Sequence, residues 1–390
     1  MRRLRLPSMV FCLLVALLSA CAAPSPAGLQ AVPPSQVVDA VPDETVQPDP
    51  PLTPTYTPFQ PLPTTAVPSP TFTATSSPTP AAPPEITLVF TGVIVPARCV
   101  QAAIDARGGA DYIFEQVRQI LTQADLAVGT LNATISDFPP RTGCRQTYVL
   151  VGGSGNADAL QRAGFDVMSV ATNHIKNCGV GDCGNQAFFD TLDNLRRVGI
   201  LPVGAGQNLA EALQPVVVTI QEVRFGFVSL GLVEPLAFAD ESTPGIAVLN
   251  EENLRSAIAA ARQVADVVVV MPHMGPEDTP VPQEYQQEFA RLAVKAGADL
   301  VVGNHTHVVQ GLQQIDGVQV FYGLGNFVFD QDWDLAHQQG VILRVRFQGA
   351  KYSGFELLPT HVDGDGTVHL AQGDEAAQIL QRIEDASIKP

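Results

Sequence analysis

The sequence predicts an α/β fold for residues 85–390, built from two packed mixed β-sheets flanked by helices. Continuous apolar runs, typical of strands that are buried on both faces, alternate with segments of helical spacing. An antiparallel hairpin is predicted at 216–231, and a second antiparallel pair at 341–347 and 355–358. Because parallel and antiparallel strands are both present, we expect two packed sheets rather than one doubly wound sheet.

The individual elements follow from local spacing. The run 86–90 is rich in β-branched residues and closes at Gly92, which predicts the first strand. Apolar residues at every third or fourth position predict amphipathic helices elsewhere. The other predicted strands are 125–131, 166–171, 267–271, 300–302 and 318–322, and the predicted helices are 111–123, 157–163, 187–198, 251–265 and 283–296.

The amino terminus predicts export and lipidation. Basic residues among positions 1–5 precede a short apolar run at 9–18, which is the layout of a secretory signal peptide. Residues 18–21 read Leu-Ser-Ala-Cys and match a lipobox, so we expect removal of residues 1–20 and lipidation of Cys21. Two or three acyl chains hold a protein stably on a bilayer. The alternative is an ordinary cleavable signal with an incidental cysteine; the first interpretation predicts an extracytoplasmic protein anchored to the cell membrane.

Residues 21–84 predict a disordered stalk. They are rich in Pro, Thr, Ser, Ala and Val and show neither helical nor strand spacing, so they bury too little apolar surface to fold.

The whole chain carries 22 basic and 39 acidic residues, a net charge of −17 at pH 7. So acidic a protein is a poor ligand for nucleic acid unless a cation intervenes. We therefore expect no nucleic-acid partner.

Four histidines follow the ends of predicted strands. His174 comes after the strand near 166–171, His273 after the strand at 267–271, and His305 and His307 after the strand at 300–302. Ligands of α/β sheets collect at the carboxyl ends of strands, and imidazole is the commonest metal ligand near neutral pH. Together the four predict one shared site. The other three lie in polar, loop-like segments and are expected to be structural: His337, His361 and His369.

Four cysteines fall in the predicted globular part. An even number in an oxidising compartment predicts disulfides, with three possible pairings. Cys178 and Cys183 flank a short loop just after His174, and a local disulfide between them is the favoured interpretation. The alternative is a soft-metal site that includes His174. If the local disulfide forms, Cys99 is left to pair with Cys144.

Several segments resemble motifs of the CapA capsule-synthesis family. The segments 164–174, 273–277, 303–308 and 321–330 resemble, in order, GFDVVSLANNH, HWGxE, GxHPHV and YSLGNFVFD. The resemblance covers about 86 to 360 and implies a metallophosphatase-like α/β/β/α sandwich with a role in synthesis or attachment of capsule or poly-γ-glutamate. It also implies His174 as the catalytic acid and a metal-ligand set of Asn173, His273, His305 and His307.

Three carboxylate positions of the family motifs hold uncharged residues in this chain. Val93 stands at the aspartate of FTGDIMLGR, and Thr130 and Asn132 stand at the asparagine and glutamate of ADLVIGNLE. Asn177 replaces a further aspartate. Because carboxylates neutralise bound dications, we expect at most one divalent metal, zinc or manganese, loosely held.

Three functions are compatible with these features. The first is a metal-dependent hydrolase that acts on a phosphoester or related bond of a surface polymer. The second is a non-catalytic protein that keeps the fold and binds polymer or organises the capsule-synthesis machinery. The third, a substrate-binding lipoprotein, explains the anchor but not the histidines. We expect the partners to be the membrane, through the lipid anchor, and a surface polymer or its synthesis machinery.

Overall fold

A computed structural model describes residues 83–177, 185–233 and 235–389 of the chain. The predicted signal peptide, Cys21, all but the last two residues of the predicted stalk, and the pair Cys178 and Cys183 lie outside these residues. In the described segments, no helix combines the length and the apolar character that a membrane span requires.

The chain alternates between strands and helices along its described length. The strands are β1 (Glu85–Ile94), β2 (Leu126–Leu131), β3 (Thr134–Ile135), β4 (Val151–Gly152), β5 (Val167–Ser169), β6 (Leu201–Val203), β7 (Ala205–Gly206), β8 (Val216–Ile220), β9 (Val223–Gly231), β10 (Gly245–Ile246), β11 (Val267–His273), β12 (Leu300–Val302), β13 (Leu312–Ile315), β14 (Val318–Phe321), β15 (Asn326–Val328), β16 (Gln339–Gln348), β17 (Lys351–Val362) and β18 (Val368–Leu370). The α-helices are α1 (Arg98–Arg107), α2 (Arg118–Gln123), α3 (Gly155–Ala163), α4 (Gln186–Arg197), α5 (Leu209–Ala212), α6 (Glu251–Val264), α7 (Glu284–Ala296), α8 (Leu335–Gln338) and α9 (Gly373–Ala386). Short 3₁₀ helices lie at Asp111–Phe114 and Pro235–Ala237.

The strands form two large mixed sheets. The first has the order β18-β17-β16-β1-β2-β5-β6, and β15 pairs with the end of β1. Its β1, β2, β5 and β6 are parallel, whereas β16, β17 and β18 run antiparallel. The second sheet has the order β13-β14-β12-β11-β9-β8, with a parallel centre and an antiparallel strand at each edge. Both sheets are therefore mixed, as the sequence predicts.

Three apolar layers hold the sheets and helices together. Between the sheets, Phe90 and Phe347 of the first sheet share a buried cluster with Phe225 of the second. The other face of the first sheet packs against α1 to α4, and the other face of the second sheet packs against α6 and α7. The predicted α/β/β/α arrangement is confirmed. It places the carboxyl ends of the parallel strands of both sheets along one edge.

Two predictions of local structure are wrong. The segment 111–123 is a 3₁₀ turn followed by α2 rather than one helix. The apolar side chains of this segment are buried in one cluster, namely Ile113, Val117 and Leu121. One continuous helix with the same spacing would also bury them, so the spacing cannot distinguish a continuous helix from a 3₁₀ turn followed by α2. None of the three other histidines lies in an open loop: His361 is in β17, His369 is in β18, and His337 is in α8 and 5 % exposed. The ring of His337 contacts Asp278, a partner far away in the sequence.

Candidate functional site

Polar side chains from both sheets meet at the shared edge of strand ends. Asn132 follows β2, and Asn173 and His174 follow β5. In the second sheet His273 ends β11, and three further polar residues follow β12. These side chains are at most 9 % exposed: Asn132, Asn173, His174, His273, Asn304, His305 and His307. The structure therefore brings the predicted site residues together.

The second sheet supplies two histidines in contact with each other. The rings of His273 and His305 lie edge to face, with centroids 4.9 Å apart. Nε2 of His273 lies 3.0 Å from Oδ1 of Asn173, so the ring donates to the amide oxygen. Nδ1 of His273 and both ring nitrogens of His305 find no hydrogen-bond partner among the described residues. Buried polar atoms of this kind are destabilising, and they mark atoms available to a ligand.

His307 has a defined tautomer. Its Nδ1 lies 2.8 Å from Oδ1 of Asn326. The amide nitrogen of Asn326 donates to the carbonyl oxygen of His337 and to Oε1 of Gln331, both at 2.9 Å, which fixes the orientation of the amide. Oδ1 of Asn326 is therefore an acceptor and Nδ1 of His307 carries the proton. This leaves Nε2 of His307 with its lone pair.

The backbone is strained at three residues in and beside the site. Arg98, His305 and His307 have φ values of 51°, 124° and 60°, in the region that favours glycine. Conformations of this kind raise the energy of the chain, and they cluster at functional sites where surrounding structure enforces them. Three of the seven non-glycine residues with positive φ in the described segments thus lie at this site.

The positions without carboxylates are used by the fold itself. Val93 is fully buried in β1, where it pairs with Thr130 on one side and Asn326 on the other. Oγ1 of Thr130 accepts a hydrogen bond of 2.8 Å from the Asn304 side chain, which joins the two sheets. Oδ1 of Asn132 accepts a hydrogen bond of 3.0 Å from the backbone N–H of His174.

His174 lies at the opening of the site. Its ring is parallel to that of Tyr148, with the centroids 6.3 Å apart. Nδ2 of Asn177, the third position that lacks a carboxylate, lies 3.5 Å from Nδ1 of His174. Asn177 thus supplies an amide, where an aspartate would have stabilised a protonated imidazole.

Burial lowers the pKa of each of the four histidines. Desolvation, with His307 adding to it, lowers the pKa of His174 to about 4 and that of His305 to about 3. Burial also lowers the pKa of His307 to about 4, although the hydrogen bond to Asn326 acts to raise it. Burial likewise holds the pKa of His273 well below its usual range. All four rings are therefore neutral near pH 7 and can act as metal ligands.

A metal site at this edge would be built from Asn173, His273 and His305. The 3.0 Å between Nε2 of His273 and Oδ1 of Asn173 is a hydrogen bond, so the ring would have to move that proton to Nδ1 before both atoms could bind one ion. The unpartnered nitrogens of His305 complete a neutral set of three. In the described part of the chain, no group of three His, Cys, Asp or Glu side chains is placed to hold an ion, and Val93 and Asn132 offer no charge to a second one.

A buried ion pair stands beside the site. Nε of Arg98 donates to Oδ1 of Asp330 at 3.0 Å, and both side chains are almost fully buried. The backbone N–H of Cys99 donates to the same carboxylate at 2.9 Å. The predicted disulfide between Cys99 and Cys144 is present. It ties the beginning of α1 to the segment that carries Tyr148.

A pocket of about 330 Å³ opens onto these groups. We call it the cleft. His174, His307 and Arg98 line its inner part, and the aromatic rings of Tyr148 and Trp333 line its opening. Its volume lies at the lower end of the range for small-molecule sites. Of the strand-end residues, His174 and His307 therefore face an accessible space.

Sequence reasoning missed several residues of the site. Arg98 is the last residue of segment 90–98, which resembles FTGDIMLGR, and Asp330 is the last residue of segment 321–330. Their positions at the ends of two motifs could have marked them as site residues. Asn304 and Asn326 also lie inside motif segments. Tyr148 and Trp333 belong to no motif quoted above, and only an aromatic residue in a polar stretch marks each of them.

Comparison with known proteins identifies the family to which this chain belongs. The fold is an α/β/β/α sandwich of two mixed sheets, and its site gathers histidine and asparagine side chains at the strand ends of both sheets. A family model described as bacterial capsule synthesis protein PGA_cap matches residues 87–331, and the chain belongs to this family.

Two curated relatives are similar to this chain over most of its length. The chain is 31 % identical over 257 residues to the PGA biosynthesis protein CapA of Bacillus subtilis, covering 65 % of this chain and 66 % of the relative. It is 31 % identical over 258 residues to the capsule biosynthesis protein CapA of Bacillus anthracis, covering 64 % and 61 %. The chain thus spans just under two thirds of the length of these relatives.

Among solved structures, the NAD nucleotidase of Haemophilus influenzae has a TM-score of 0.43 at 11 % identity, covering 79 % of this chain and 57 % of that one. A 5′-nucleotidase precursor from Thermus thermophilus has a TM-score of 0.43 at 15 % identity, covering 77 % and 58 %.

Proposed function

We propose that this chain is a lipid-anchored extracytoplasmic accessory protein for the synthesis or attachment of a capsule-type polymer. Its site holds at most one divalent ion, weakly. The observation that carries the proposal is the gathering of the family motifs at one edge of the two sheets, where His174 and His307 line the cleft and the buried Val93 and Asn132 occupy carboxylate positions of the motifs. The relatives named for capsule and PGA biosynthesis support the role, and Leu-Ser-Ala-Cys at 18–21 supports the anchor.

The metal part of the proposal follows from charge. Asn173, His273 and His305 would hold the ion, which would polarise a bound oxygen or activate water. These ligands are neutral, so the protein leaves the charge of a dication largely uncompensated, and an amide is a weaker donor than a third imidazole. We therefore expect weak phosphodiesterase activity or none, and a polymer-binding role is the second candidate that the neutral site favours.

The role in polymer assembly is tested by deleting the gene in its host. Surface-attached polymer should fall on deletion and return when the wild-type chain is supplied. A Cys21→Ala chain should lose its acyl label and leave the membrane fraction, restoring less polymer. Unchanged surface polymer after deletion contradicts the role, and full membrane retention of Cys21→Ala contradicts the anchor.

The state of the metal site is tested by elemental analysis. The wild type should contain one ion per chain or less, and Val93→Asp with Asn132→Glu should raise the content towards two. Both positions are fully buried, so this double variant should also melt at a lower temperature in chelator and recover when metal is added. The matched control is Val93→Asn with Asn132→Gln, which adds no charge and should gain no metal. Two tightly bound ions in the wild type, with turnover near ~10 per second as in typical enzymes, contradict the proposal.

A further inference from the structure

We propose that the cleft binds an uncharged saccharide segment, held between Tyr148 and Trp333. This inference deepens the proposed function, on which it rests, by naming the chemical class of the ligand. It depends on two exposed aromatic rings, on the charge of the lining residues and on their hydrogen-bonding groups. None of these features is used by the packing of the two sheets.

The two rings at the opening are unusually exposed for their size. Tyr148 is 79 % exposed and Trp333 is 52 % exposed, and both line the cleft. The face of an aromatic ring carries partial negative charge. A pyranose ring presents C–H groups with partial positive charge on its faces and hydroxyl groups around its rim. An exposed aromatic ring above a polar pocket therefore suits a sugar ring, which stacks through its face and forms hydrogen bonds through its rim.

The charge of the cleft disfavours a polyanion. Among the described lining residues, Arg98 is the one that carries a permanent positive charge, and it is already bonded to Asp330. Its guanidinium also lies 4.7 Å from the centroid of the Phe329 ring. Glu277 lines the same cleft, and the whole chain carries a net charge of −17. A row of carboxylates would meet one acidic side chain and no uncommitted basic one in the lining.

The remaining lining groups are suited to hydroxyl groups. Gln146, Thr147 and Gln331 line the cleft together with Glu277. Amide, hydroxyl and carboxylate groups bond to sugar hydroxyls as donors or acceptors, and a few such groups fix the orientation of a ligand in a pocket. The cleft thus combines stacking faces with polar groups and lacks an uncommitted basic group in its described lining.

The experiment uses the single tryptophan of the chain, Trp333, as its reporter. Tryptophan emission of the mature protein is followed during titration with hexa-N-acetylchitohexaose, cellohexaose and maltohexaose, and separately with poly-γ-glutamate at equal monomer concentration. We expect a saturable change in emission with at least one of the three neutral saccharides and none with poly-γ-glutamate. No change and no calorimetric heat with any of the three saccharides would overturn the inference, and so would saturable binding of poly-γ-glutamate alone.

Variants locate the binding. Tyr148→Ala should weaken binding of the saccharide by about 2- to 10-fold, the range expected for one aromatic contact. Trp333→Ala, followed by calorimetry, should weaken it similarly, and Trp333→Phe should restore part of the affinity. The control is Phe138→Ala, because Phe138 is 62 % exposed and lies outside the lining of the cleft. Equal affinity in all four variants would place the saccharide elsewhere and overturn the inference.

The two proposals fail in different experiments. If deletion of the gene leaves the surface polymer unchanged while the saccharide still binds at Trp333, the proposed function is wrong and the cleft assignment stands. If deletion removes the polymer but no saccharide binds, the proposed function stands and the ligand class is wrong.

Discussion

The two sheets contribute unequal halves to the site. The first-sheet half, defined by Val93, Thr130 and Asn132, is used largely by the fold, since Thr130 and Asn132 accept hydrogen bonds from other parts of the protein. The second-sheet half, defined by His273 and His305, leaves three ring nitrogens without a partner within the described segments. Most polar groups of the first-sheet half are thus hydrogen-bonded within the fold, apart from Nδ2 of Asn132, whereas the second-sheet half leaves ring nitrogens for a ligand at some expense of stability.

The largest expected effect comes from the ion pair beside the first-sheet half. Arg98→Ala leaves Asp330 buried and unpaired, so we expect a loss of about 3–5 kcal/mol in the free energy of unfolding. Urea denaturation measures it. Replacing both partners, Arg98→Met with Asp330→Leu, should recover most of the loss because no buried charge remains.

The control for this prediction is an exposed ion pair. Arg255 and Glu251 form such a pair on α6, with side chains 41 % and 61 % exposed. Arg255→Ala should lower the free energy of unfolding by about 0.5 kcal/mol or less. Similar losses in Arg98→Ala and Arg255→Ala would show that the buried pair does not hold this half of the site together.

The disulfide should have the next largest effect. Cys99 and Cys144 are separated by 45 positions, and removing such a link by Cys144→Ala should lower the free energy of unfolding by about 2–4 kcal/mol. Non-reducing peptide mapping checks the pairing and also tests the predicted Cys178–Cys183 link. Four free thiols, or a peptide joining Cys144 to Cys178, would contradict these pairings.

The hydrogen bond between the two halves should have a smaller effect. Thr130→Val keeps the shape of the side chain but leaves the amide nitrogen of Asn304 without the acceptor it has at 2.8 Å. We expect a loss of about 1–3 kcal/mol in the free energy of unfolding. Thr130→Ser keeps the hydroxyl and should lose clearly less. If both variants lose the same amount, the methyl packing of Thr130, and not its hydroxyl, joins the halves.

The smallest effect is expected in the second-sheet half. In chelator, His305→Leu should change the free energy of unfolding by no more than about 1 kcal/mol, and the change can be stabilising, because the lost ring nitrogens have no hydrogen-bond partner within the described residues. Thermal melts with and without added metal measure it, and the metal-dependent rise in melting temperature should disappear in the variant. A loss of several kcal/mol in chelator would show that this half serves the fold as well.

The layers of the fold were predictable because they depend on local pattern. Buried parallel strands such as β11 are continuous apolar runs, and the hairpin of β8 and β9 turns at polar residues, so each identifies itself within about ten residues. Helix α1 was not predicted. It follows Ala97, which provides no capping side chain, and its first residue, Arg98, has a left-handed backbone. No helix start signal is therefore present in the sequence.

The composition of the site was predictable, but not the hydrogen bonds within it. The four histidines follow strand ends, a pattern visible in the sequence. The bond between Arg98 and Asp330 joins residues 232 positions apart, and the bond of His307 to Asn326 depends on how β15 pairs with β1. Such contacts are set by tertiary structure, which local spacing does not encode.

The disulfide also has a consequence for how the protein matures. Cys99 follows Arg98 in the floor of the cleft, and Cys144 precedes the segment that carries Thr147 and Tyr148. In a reducing compartment the two sheets can form from the same side chains, but the rim that carries Tyr148 is not covalently fixed to the floor. Formation of the disulfide fixes this rim. A ligand that depends on Tyr148 would accordingly be bound best by chains in which Cys99 and Cys144 are joined, so ligand binding would report on the oxidation of this one pair.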